Sequence, residues 1–299
     1  MNMKQEQIEN ILAKIEHTVG TDWLEKWVHE IKELEFAAAP MKSYRELSES
    51  IPPLAVIWCM ASDELIMISL TGSVIMTGVL SVAYEIGSNM SACEQLLGFT
   101  EQVKLLKSND KSVFQESRYL LAIAAGYSRL GYRPLLSNHL SIEQQDMQVH
   151  IICRASLETP KLRQLEYEFG TEGTSMPGQK TGATTEHCNS LSDVCAEANK
   201  LSDKKPIILY VNIPVEPAET DDLLAYYTKH ISTKISEYKN LSQIVITTGF
   251  NAPGKLSQLY YSSCIENINA LIKLPDGLKP YLPGQYIISE DAYGYFRNQ

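Results

Sequence analysis

The sequence predicts an α/β protein: a helical N-terminal module followed by a mixed central sheet flanked by helices. Three observations carry this. Apolar residues recur at helical spacing up to about residue 108, as in Ile8, Ile11, Leu12 and Ile15. Apolar runs of strand length follow later in the chain, at Ile207–Ile213 and Leu241–Thr248. Helix-patterned segments alternate with those runs, which is the arrangement of a sheet covered on both faces.

The composition sets bounds on what the chain can be. With 299 residues and 44% hydrophobic content it can fill a sizeable core, as one large domain or two modest ones. The six cysteines (Cys59, Cys93, Cys153, Cys188, Cys195 and Cys264) are scattered, with no C-x-x-C pair and no secretory signal ahead of them. That usage fits a reducing compartment, and the expected location is the cytoplasm. The net charge of −10 is unevenly placed: residues 1–110 carry 8 Lys+Arg against 16 Asp+Glu, and residues 111–299 carry 18 against 20. An acidic first third argues against nonspecific nucleic-acid binding there, because phosphate contact needs excess cation.

Residues 1–108 read as the helical module. Trp23, Leu24, Trp27 and Ile31 form its second apolar stripe, Pro40 and Pro52-Pro53 punctuate the chain, and helical regions follow at about 54–88 and 92–107. Leu65–Tyr84 is a twenty-residue run without a formal charge, which is bilayer length. Its serines, threonines and glycines, and the acids Asp63, Glu64 and Glu85 at its ends in place of Lys or Arg, favour a buried helix over a span. Ser69, Ser73, Thr77 and Ser81 recur every four residues and would let another helix approach closely. No membrane association is expected.

Residues 109–299 read as the α/β domain. Asn109-Asp110 offers a cap for a helix over Lys111–Leu130 that Gly131 stops. Pro134–Asn138 is a short strand and Asp146–Arg154 an alternating one, with Asp146, Gln148, His150, Ile152 and Arg154 on one face. Residues 170–190, rich in Gly, Ser and Thr, read as a long loop. Then come a helix (190–202), a strand (Ile207–Ile213), a helix (Asp221–Lys239), a strand (Leu241–Thr248) and a third strand near Leu259–Ser263.

The segments FQESRYLLAIAAGYSRLGY (114–132), DMQVHIICRA (146–155) and ANKLSDKKPIILYVNIP (198–214) resemble the PD-(D/E)xK, or restriction-endonuclease-like, nuclease superfamily in the order helix, short strand, strand with a C-terminal cation, loop, helix, apolar strand. The resemblance covers roughly half the chain. It implies a restriction-endonuclease-like sheet on which a helix acid and the acids of two adjoining strands hold Mg²⁺, with a lysine near the attacking water. The chemical need is plain, since hard carboxylate oxygens bind Mg²⁺ and the metal stabilises charge developing on phosphate. By position Glu116 is the helix acid and Asp146 the first strand acid, the two candidate metal ligands, and Arg154 stands in the lysine's place. The pattern is degenerate: Ile152 occupies the position of the final acid, Gln145 that of the usual proline, and an arginine stays protonated where a lysine can exchange a proton.

Three readings follow. The first is a degenerate nuclease-like pseudoenzyme kept as a binding or scaffolding subunit of a larger bacterial assembly, in antiviral defence or a mobile element, with a protein partner or a second copy and no cofactor. The second is an active Mg²⁺-dependent nuclease, acting on nucleic acid through the C-terminal domain, whose missing ligand is Glu143, Glu166 or Glu168 and whose cation is Arg154 or Lys161. The third is a helical protein-interaction module with a purely structural α/β part. Other motifs are weaker. Gly173–Thr181 nearly spells a phosphate-binding loop, but Gln179 separates the second glycine from Lys180. His187, Cys188 and Cys195 match no zinc spacing. Cys153 and His150 fall on opposite strand faces and cannot form a nucleophilic pair.

Overall fold

The computed structural model describes residues 5–37, 51–71, 78–137, 139–155, 181–201, 204–213, 220–250 and 259–283. Among these the chain forms eight α-helices and a mixed six-stranded sheet flanked by helices, the α/β class read from the sequence. It divides into two compact units, Met1–Ile142 with Asn251–Leu259 and Pro283–Gln299, and Glu143–Phe250 with Tyr260–Leu282.

The first unit is built from α1 (Gln5–Val19), α2 (Thr21–Ala37), α3 (Pro53–Thr71), α4 (Gly78–Cys93), α5 (Phe99–Leu106) and α6 (Lys111–Arg129). The α1 stripe of Ile8, Leu12, Ile15 and Val19 is buried, and α1 packs closely on α4. Gly87 makes that approach possible, because a Cβ there would lie 2.7 Å from Ile11 Cγ2. Ile31, Ile51, Ala55 and Cys59 form a second core cluster, with Trp23 and Trp27 packed against it. The cap predicted for α6 is in place: the Asp110 side chain accepts from the Ser112 and Val113 amides at 2.8 and 3.2 Å. Gly131, at φ +90°, follows its end. Glu85, nearly sealed from solvent, is ion-paired with Arg118 across α4 and α6 at 2.6 Å.

Two expectations for this unit are corrected. The single buried helix expected across Leu65–Tyr84 is instead divided between α3 and α4, with residues 72–77 outside those described. Leu54, Ala61 and Ile68 form one buried side of α3, and Ala55 and Cys59 on another side are buried in the second core cluster; farther along the helix Ile66, Met67 and Leu70 turn outward, at 56%, 57% and 76% exposure. Of the small-residue stripe, Ser69 is exposed and Ser81 buried, while Ser73 and Thr77 lie outside the described residues. The helix expected from residue 92 starts only at Phe99. Gly98 holds a left-handed φ of +87°, and a Cβ there would lie 1.8 Å from the Leu136 carbonyl oxygen, so the chain turns at this point.

The sheet runs β1 (Leu135–Leu136), β2 (Leu140–Gln144), β3 (Met147–Arg154), β4 (Ile207–Asn212), β5 (Leu241–Phe250) and β6 (Leu259–Glu266), and its spatial order is its chain order. β1 and β2 are antiparallel. β3, β4 and β5 are parallel, with Ile152 beside Leu209 and Leu209 beside Ile244. The crossovers carry α7 (Thr181–Asn199) and α8 (Thr220–Lys234), the latter extended by a 3-10 turn at Ile235–Glu237. Both helices pack on one sheet face, where Leu191, Cys195, Tyr227 and Ile231 meet Ile152, Leu209, Val211, Ile244 and Ile246 in one core. The loop expected over 170–190 is corrected in part: α7 already begins at Thr181, anchored by Leu191 and Cys195 farther along, and residues 156–180 lie outside those described.

Candidate functional site

Glu116 lies on α6, half-buried, in line with the buried Leu120, Ile123 and Tyr127. Among the described residues no cation pairs with it. Asp146 is placed by a different local rule. It and Gln145 are the two central residues of the β2–β3 hairpin, with φ values of +61° and +52°, the signature of a type I′ turn. Asp146 is therefore a solvent-exposed turn residue ahead of β3, which starts at Met147.

Arg154 ends the same strand. At a rise of ~3.3 Å per residue, β3 sets Asp146 and Arg154 roughly 25 Å apart, so they do not share one coordination sphere. Arg154 is partly exposed, and its guanidinium lies 3.8 Å from the Glu197 carboxylate on α7. Ile152, at the position of the final acid, is 4% exposed within the core under α7 and α8. On that face Ile152 is packed beneath both crossover helices, His150 is buried beside Lys205, and Gln148 and Arg154 are half-buried. Among the described residues no three His, Cys, Asp or Glu side chains gather as a metal site. Glu143 is exposed on β2, whereas Lys161, Glu166, Glu168 and Lys180 lie outside the described residues. A helix does follow Lys180 at once, since α7 starts at Thr181.

The thiols sort by burial. Cys153 is 5% exposed and belongs to the core. Burial pushes the Cys195 thiol up to about 12, and does the same to Cys93 against the opposing pull of the Arg129 charge, so neither is a ready thiolate.

Two polar clusters that sequence reasoning missed lie in the second unit. At the start of β3 and β4, Lys205 Nζ donates to Gln148 Oε1 at 2.6 Å and sits 3.3 Å from His150 Nε2. Between α7 and α8, Ser192 Oγ lies 3.1 Å from His230 Nε2 and 3.4 Å from Lys234 Nζ. An ammonium can only donate, so the hydroxyl oxygen accepts from Lys234, while the direction of its bond to the imidazole depends on the His230 tautomer. The residues of each cluster are distant in sequence and only the crossovers bring them together; the one local signal was His230 and Lys234 at i, i+4 on α8. Both clusters read as polar clamps between elements. In the first unit, a hollow of about 270 Å³ is lined by Lys14, His17, Glu94, Phe99 and Thr100, and the Lys14–Glu94 ion pair neutralises its principal charges. No protein-family model and no curated protein matches this chain.

Proposed function

We propose that this chain is a degenerate nuclease-like protein of the PD-(D/E)xK kind that serves as a binding or scaffolding subunit of a larger assembly, in bacterial defence or a mobile element. One observation carries the reading: helix, short β1, β3 ending in Arg154, helix and a parallel β4 follow in the order on which the resemblance rests, with β2 as an added strand between β1 and β3 and Ile152 buried where the last metal ligand would stand. A buried isoleucine cannot ligate Mg²⁺, and an arginine already near Glu197 is a poor proton exchanger. The separation of Asp146 from Arg154 along β3 supports loss of the ancestral chemistry.

A second reading, an active nuclease with relocated ligands that bind Mg²⁺, draws on Glu116, a half-buried acid on a helix with no cation paired to it among the described residues. Incubation of the purified chain with single- and double-stranded DNA and RNA in Mg²⁺ or Mn²⁺ separates the two. The expected outcome is no cleavage. Metal-dependent cleavage that disappears in Glu116→Ala would overturn the binding reading.

A further inference from the structure

We propose that the outward side of α3 is a docking surface for a cationic amphipathic helix of a partner protein. This rests on the binding reading above and gives it a surface and a partner chemistry. Asp63, Ile66, Met67 and Leu70 fall at i, i+3, i+4 and i+7, which places them on one helical stripe ~10 Å long. Ile66, Met67 and Leu70 are more than half exposed, while Leu54, Ala61 and Ile68 on the other side are buried. Earlier on the helix, the side that carries Ile66 and Leu70 also carries Ala55 and Cys59, which are buried in the cluster with Ile31 and Ile51, so the outward stripe is confined to roughly the last two turns of the helix. The nearby hydroxyls do not make the stripe polar. Ser62 Oγ donates to the Trp58 carbonyl at 2.8 Å and Ser69 Oγ to the Leu65 carbonyl at 2.9 Å, so both are turned onto their own helix. What remains outward is three large apolar side chains with an exposed carboxylate at one end.

Charge selects the occupant. Residues 1–110 carry 16 acids against 8 bases, so an apolar helix flanked by Lys and Arg meets a complementary field. A second copy of this surface would bring like charges together. A lipid surface fits less well too. The window Pro53–Leu70 is long and apolar enough to cross a bilayer, with a mean hydropathy of 1.5, yet Asp63 and Glu64 lie within it and no Lys or Arg does. Anionic headgroups would repel that surface, and a true span would carry two carboxylates into hydrocarbon. Helix-in-groove docking on spaced apolar anchors remains, with the acid setting orientation and salt dependence.

The test is fluorescence anisotropy of a labelled Leu/Lys amphipathic helical peptide titrated with the full chain, beside a Leu/Glu peptide of the same apolar pattern. The Leu/Lys peptide is expected to bind, and the Leu/Glu peptide not. Ile66→Ser with Leu70→Ser should weaken binding at least about tenfold, the loss of roughly 1.4 kcal/mol of apolar contact. Asp63→Asn should weaken it about two- to threefold and flatten its salt dependence. All three substitutions are at exposed positions, so unchanged circular dichroism and thermal midpoint should accompany them. Binding that the double variant leaves intact overturns the proposal. So does self-association by light scattering, or flotation with phosphatidylcholine/phosphatidylserine vesicles, that the double variant abolishes, since either names a different occupant. Cleavage assays on the same preparations keep the failures apart: absent peptide binding with absent cleavage sinks this surface alone, while Glu116-dependent cleavage sinks the reading beneath it.

Discussion

Two buried thiols set how this protein responds to alkali. Cys93, whose sulfur lies 3.8 Å from the Leu121 carbonyl, and Cys195, fully buried under the sheet, are each raised from 9.0 to about 12 by desolvation. The folded chain therefore holds these protons more tightly than the unfolded chain. Their contribution to stability is complete below pH 9 and is lost as pH rises towards 12, by up to about 1.4 kcal/mol per pH unit per thiol. Urea midpoints measured between pH 8.5 and 11 should fall along that slope, and Cys93→Ala or Cys195→Ala should each make it shallower. An unchanged slope in both variants would show that the thiols titrate alike in the two states. Their spacing in the sequence asked for no metal and no disulfide, but it did not reveal their burial, which comes from packing across α4 and α6 and beneath the sheet.

Among the elements, what could be read from sequence is what local chemistry signals. Asp110 and Gly131 mark both ends of α6, and the unbroken apolar run Ile207–Val211 marks a strand buried on both faces. The β2–β3 turn had no such signal. Gln145 and Asp146 both occupy left-handed backbone without the Asn-Gly or Asp-Gly pair that advertises it, so Asp146 looked like the first residue of a strand. This hairpin makes a prediction of its own. Gln145→Asn with Asp146→Gly should relieve two strained φ values and raise stability by about 1 kcal/mol, read as a higher urea midpoint. For a binding subunit, that change should leave partner binding intact. A lower midpoint would mean that one of the replaced side chains holds the turn. α7 was missed in its first half for the opposite reason: its Gly, Thr and Ser residues have poor helix propensity, and the helix is held by Leu191, Cys195 and Ala198 docking on the sheet.

Across the whole molecule, the fold class was legible because periodicity changes from helical to extended after α6, whereas the candidate site was not. Whether acids converge depends on strand ends and crossovers, and β3 proved to separate Asp146 from Arg154. The match between spatial and chain order in the sheet has a further consequence, for synthesis. Each strand finds its neighbour already made, so the sheet can grow in one direction as the chain leaves the ribosome. The longest wait is at the parallel step from β3 to β4, which needs everything between Arg154 and Ile207 to be translated. At ~5–20 residues per second that delay lasts several seconds. During it the apolar β3, with Val149, Ile151, Ile152 and Cys153 destined for full burial, has an open edge. Nascent chains halted just before Ile207 should therefore be bound by chaperones or aggregate, and chains halted well beyond Asn212 should resist protease in the β3–β4 region. Equal protease sensitivity at both lengths would place the pairing of these strands later, after the chain is released.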